Sequence, residues 1–154
     1  HLALNMYGLW LLGQHCEQLL GRWRFLALYL LSGLGGTVAE FVFREPNTYA
    51  AGASGCIFGM MAALFFFFRK LNADVRPIVT LLGLNLVLGF FLIQVSVLAH
   101  VAGMITGGVI GAFLAYAPRG AHQARFQLAG ICAVGGMLVC LTVVRVAQYG
   151  LWPQ

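Results

Sequence analysis

The chain has 154 residues, 61% of them hydrophobic and only 8% charged, with a net charge of +5 at pH 7. A soluble domain carries about 25% charged residues, so this composition excludes a water-covered globular domain and reads as a membrane protein lying almost wholly in the bilayer. The basic residues are dispersed between apolar runs, with no basic stripe or aromatic ladder, which argues against nucleic acid as a partner.

Six apolar runs follow one another, each near the ~20 residues that span a bilayer. The first is His1 to about Gly21, amphipathic at its far end, where Glu17 sits. The second is Phe25 to Phe43, the third Tyr49 to Phe68, the fourth Pro77 to about Gln94, the fifth Ala99 to Ala117 and the sixth Phe126 to Val144. Backbone polar groups in lipid must be paired within their own segment, so all six are predicted to be helices. The expected fold is all-α, a polytopic helical bundle with six spans and neither repeats nor a soluble domain. Cys16, Cys56, Cys132 and Cys140 all lie in apolar runs without metal-ligand spacing and read as small hydrophobes. The chain opens with His in mid-pattern and is expected to be a fragment of a longer protein.

Seven of the nine Lys and Arg residues fall in alternate loops: Arg22 and Arg24; Arg69, Lys70 and Arg76; Arg119 and Arg125. The positive-inside rule makes that side cytoplasmic, and anionic lipid headgroups account for the basic excess. Runs one, three and five then all begin on the non-cytoplasmic side. His1, Asn5, Ser54 and His100 lie near those beginnings, which brings polar side chains from three helices to a similar depth near the outer face.

Polar groups in lipid are functional candidates. Ser54 stands in Gly52-Ala53-Ser54-Gly55 and His100 in Ala99-His100-Val101-Ala102-Gly103, on helices expected to run parallel. A serine attacks a carbonyl when a base within hydrogen-bond reach takes its proton. That reach needs close helices, and Gly55 with Gly59, and Gly103 with Gly107 and Gly111, form small-residue faces suited to it. The same glycines also serve helix packing alone, and a serine in a membrane helix also bonds its own backbone. Phe58, one turn after Ser54, is on the face that could carry the imidazole ring or simply fill the core. His1 and Asn5 share a helix face and can donate, with the Ser54 N–H, to an oxyanion; the plainer reading is that they bond each other or a loop carbonyl. No acid completes a triad: Glu40 precedes Arg44 by four and reads as an i,i+4 pair, while Glu17 and Asp74 lie on the cytoplasmic side. The residues therefore read as a Ser–His dyad.

Taken together, Gly52-Ala53-Ser54-Gly55 with Phe58-Gly59, Ala99-His100-Val101-Ala102-Gly103, and His1-xxx-Asn5-Met6 resemble the rhomboid family of intramembrane serine proteases; Glu17 and Gly21 also fall where the family has a Glu and a Gly. The resemblance covers His1 to about Ala117. It implies a helical bundle whose water-filled site opens outward and a cofactor-free, metal-free endopeptidase acting on transmembrane substrates near the outer face, in a bacterial plasma membrane. Carried over, Ser54 is the nucleophile, His100 the base and later the acid, and His1, Asn5 and the Ser54 N–H the oxyanion hole, with Gly52, Gly55, Phe58 and Gly103 in support. Residues 1–117 would be a core of five helices lacking its first, and 118–154 a loop and an extra C-terminal helix. Two alternatives stand beside this: an inactive rhomboid-like protein that binds transmembrane helices, and a small-solute transporter.

Overall fold

A computed structural model describes residues 2–44, 53–91 and 96–149. Among these every regular element is helical: α1 (Leu2–Leu20), α2 (Arg22–Phe43), α3 (Ser54–Lys70), α4 (Arg76–Phe91), α5 (Val97–Ala115) and α6 (Gln123–Gln148). Each falls on one of the six apolar runs. Among the described residues more of the large apolar side chains are exposed than buried. Trp23 and Phe43, at the two ends of α2, are 80% and 75% exposed, as suits a chain whose solvent is lipid with aromatics at its interfaces.

The helices are not equivalent. By length and composition α2, α5 and α6 can each cross a membrane. α1 is diluted by Gln14, His15, Glu17 and Gln18, and α3 and α4 have 17 and 16 residues. At 1.5 Å per residue α3 is only about 25 Å long, short of a hydrocarbon core of about 30 Å.

This short helix is the centre of the bundle. Gly55, Cys56 and the whole stretch Phe58–Leu64 are buried, with α5 and α2 packed along it and α1 on its flank. α6 leans on α2 and α5 through one stripe, Gln127, Gly130, Val134 and Leu138, and leaves its other faces to lipid. α4 packs least of all.

Side-chain links at both ends fix the directions. At one end the Lys70 ammonium donates to the Ala115 carbonyl, and Gln127 Nε2 donates to the Leu114 carbonyl at 3.0 Å. At the other, Ser96 donates to Glu40, and Arg145 Nε donates to the Phe41 carbonyl at 3.3 Å. So α3 and α5 run parallel, and α2 and α6 run opposite to them. The turn from α1 into α2 is a single residue, Gly21, with φ 76°. Its N–H closes α1 on Glu17 and its carbonyl accepts from Phe25 to open α2. That left-handed conformation favours glycine.

Candidate functional site

α3 and α5 meet without side chains between them. A carbon built on Gly103 would lie 2.5 Å from the Gly55 carbonyl oxygen; one on Gly107 would strike the Gly59 backbone, and one on Gly111 would lie 2.5 Å from the Ala63 Cα. The three contacts, Gly55–Gly103, Gly59–Gly107 and Ala63–Gly111, share one offset of 48 residues. Two parallel helices in constant register thus put Ser54 level with Ala102. His100 stands two residues nearer the helix start, roughly 3 Å higher along the axis at 1.5 Å per residue. Ser54 itself is about five residues, ~7 Å, below the first residue of α5. The shortness of α3 therefore recesses its N-terminus into the bundle.

His100 is 4% exposed. Its ring stacks on Phe58, with centroids 4.4 Å apart and planes inclined by 19°, and neither ring nitrogen has a hydrogen-bond partner among the described residues. An imidazole buried this way retains a donor and an acceptor for a group not yet bonded to it. Ser54 is the first residue of α3. The Ala53 carbonyl already accepts from both Cys56 and Ile57, while the Ser54 and Gly55 N–H groups have no intrahelical acceptor by the geometry of a helix start. Donors and dipole there favour negative charge.

α1 brings Asn5 to the same end. A carbon on Gly8 would meet Ile57 of α3 at 3.3 Å, and farther along Cys16 lies against the Met60 carbonyl, so the two helices run in the same sense. Asn5 and Ser54 each lie about one turn before that Gly8–Ile57 contact, and Asn5 is buried. His1 and Gly52, also expected in the site, lie outside the described residues.

One feature of this end escaped the sequence reading. Glu40 of α2 is buried, forms the expected pair with Arg44 (Nε to Oε2, 3.2 Å), and also accepts from the Ser96 hydroxyl. The same hydroxyl accepts from the Ala99 N–H at 3.1 Å, which makes Ser96 the N-cap of α5. The signal was a serine three residues before Ala99, ahead of an apolar run.

Among the described residues no three His, Cys, Asp or Glu side chains cluster as metal ligands would. All four cysteines are free. A groove of about 560 Å³, walled by Ala62, Phe66, Met104, Gly108 and Phe113 among others, runs from one turn beyond His100 toward the opposite end. Its almost wholly apolar wall offers nothing for acid–base chemistry.

Fold and site thus define an integral membrane helical bundle that presents a serine, a histidine and an amide at one recessed end. The rhomboid domain family matches residues 1–117, and the chain belongs to the rhomboid family. Rhomboid protease GluP of Bacillus subtilis (strain 168) is 32% identical over 98% of this chain and 29% of its own length. RHOMBOID-like protein 4 of Arabidopsis thaliana is 36% identical over 77% of this chain and 31% of its own. The chain therefore spans less than a third of either relative. No solved structure matches it.

Proposed function

We propose that the protein is an intramembrane serine endopeptidase in which Ser54 and His100 form a catalytic dyad. The observation that carries this reading is the backbone-to-backbone register of α3 on α5. It sets a serine at a helix start about one residue pair below a buried, ring-stacked histidine with both nitrogens unclaimed. Membership of a family whose relatives include named proteases supports the same reading.

In the proposed reaction His100 takes the Ser54 hydroxyl proton as Oγ attacks the scissile carbonyl carbon. The carbonyl π electrons move onto oxygen, and the oxyanion is held by the Ser54 N–H and the α3 dipole, with Asn5 and His1 as side-chain donors. Collapse breaks the C–N bond, and His100 returns its proton to the leaving amine. Water, deprotonated by His100, then attacks the acyl ester; the C–Oγ bond breaks, and His100 returns the proton to Oγ to regenerate Ser54. Phe58 holds the imidazole plane; Gly55 and Gly103 permit the approach of the two helices. The substrate class is a transmembrane helix, since the recessed site lies among lipid-facing helices, within reach of a chain in the bilayer. Seven of nine Lys and Arg lie at the helix ends and connections of the opposite end, so the site opens on the non-cytoplasmic side.

The test is cleavage of a transmembrane substrate in proteoliposomes by the purified chain and by Ser54→Ala and His100→Ala. Cleavage by the unsubstituted chain alone supports the dyad. A chain that binds such helices without cutting them is instead an inactive rhomboid-like protein.

A further inference from the structure

We propose that Glu40 is a positioning residue for His100, acting through Ser96 on the first turn of α5. This inference rests on the dyad reading above.

A carboxylate in an apolar bundle is costly unless it is paired and hydrogen-bonded. Glu40 is 8% exposed, and Arg44 alone would satisfy it more cheaply at the surface. Instead its two oxygens are divided: Oε2 is ion-paired with Arg44 without a hydrogen bond, and Oε1 accepts a hydrogen bond from the Ser96 hydroxyl. That commits the Ser96 oxygen lone pairs to the α5 backbone, where they accept from the Ala99 N–H. The Ser96 carbonyl accepts from the N–H of His100 itself, at 3.2 Å. Ser96 thus holds two consecutive amides of the turn that carries the histidine, and Glu40 anchors Ser96 to α2.

The anchor works with a second contact one turn away on α2. A carbon on Gly36 would lie 2.8 Å from the Ala99 carbonyl oxygen, so α2 touches the residue before His100 from below while Glu40 grips the residue that caps it. Hydrogen bonds to a charged acceptor are shorter and about twice as strong as neutral ones. The start of a helix is also where fraying would otherwise concentrate, because its first N–H groups lack partners. Height and rotation of His100 above Ser54 are therefore set by a clamp on α2, a helix that contributes nothing to the dyad.

The experiment compares the full chain with Glu40→Leu, Glu40→Gln, Ser96→Ala and the Glu40→Leu/Ser96→Ala double variant in lipid nanodiscs. Three quantities are read: amide hydrogen exchange at Ala99 and His100, the rate of fluorophosphonate labelling of Ser54, and kcat against KM for a transmembrane substrate. Glu40→Leu and Ser96→Ala should each speed exchange at those two amides, slow labelling by roughly tenfold, and lower kcat for the substrate by a similar factor with KM little changed. Glu40→Gln keeps an acceptor for Ser96 and should stay within about threefold of the unsubstituted chain. The double variant should be no slower than the slower single, because both cut one link. Should Glu40→Leu fail to fold, Ser96→Ala carries the comparison. Unchanged exchange at Ala99 and His100, a multiplied defect in the double variant, or Glu40→Gln as damaging as Glu40→Leu would overturn the clamp. If Ser54 of the unsubstituted chain takes no label, the dyad reading falls, and amide exchange still decides whether Glu40 holds the turn.

Discussion

A carbon on Gly103 would lie 2.7 Å from the Gly55 Cα as well as 2.5 Å from its carbonyl oxygen, so the residue after Ser54 and the residue three past His100 meet backbone to backbone. Neither partner has a side chain that can move aside. Gly103→Ala should therefore push α5 off α3, cost about 1–3 kcal/mol of stability and abolish cleavage. Gly136→Ala is the control: nothing lies within 4 Å of its added carbon, and it should be neutral or stabilising by up to about 1 kcal/mol. Thermal unfolding of the two variants in detergent checks the contrast.

The Phe58–His100 stack gives a second expectation. Aromatic pairs contribute roughly 0.5–1.5 kcal/mol beyond burial. Phe58→Leu, which fills most of the volume without the ring, should lower kcat by up to about tenfold with KM little changed. Phe58→Tyr, which keeps the ring, should retain activity. Equal loss in both would remove Phe58 from the dyad's support.

Asn5 should behave as a transition-state donor. Removing one oxyanion donor elsewhere costs roughly 10²–10³ in kcat. A smaller loss is expected for Asn5→Ala, because the Ser54 N–H and the α3 dipole remain. Steady-state kinetics separate the cases: a change confined to KM would reassign Asn5 to substrate binding or helix packing.

Orientation is checked by labelling in intact cells after replacement of the native cysteines with alanine. A cysteine at Ala121, in the exposed connection before α6, should be shielded from an impermeant thiol reagent. One at Asn47, between α2 and α3 in sequence, should react. The reverse pattern would turn the site to the cytoplasm.

The six helices were legible because lipid leaves an apolar run no other way to satisfy its backbone. Their ends were less so, since apolarity reports the hydrocarbon-facing part alone. α6 extends from Gln123 to Gln148, past the run Phe126–Val144, because Gln, Ala and Arg at its margins are good helix formers. Run three was expected to begin at Tyr49; helix begins at Ser54 after a turn at Ala53, and the stretch 49–52 lies outside the described residues. Those residues are apolar whether or not they are helical, so hydropathy could not mark where α3 starts. Glu40 was read as half of a local pair because i,i+4 spacing is visible in one dimension, whereas its bond to Ser96 joins residues 56 apart. The close approach of α3 and α5 was foreseeable from their glycines; the constant register that levels Ser54 with Ala102 needed coordinates.

The Ser54–His100 dyad is tested most directly by mapping a fluorophosphonate adduct by mass spectrometry on the full chain in lipid. One modified residue is expected, Ser54, with labelling lost in His100→Ala because the hydroxyl then has no base. A stoichiometric adduct on another serine, or Ser54 labelling at an undiminished rate without His100, would contradict the dyad.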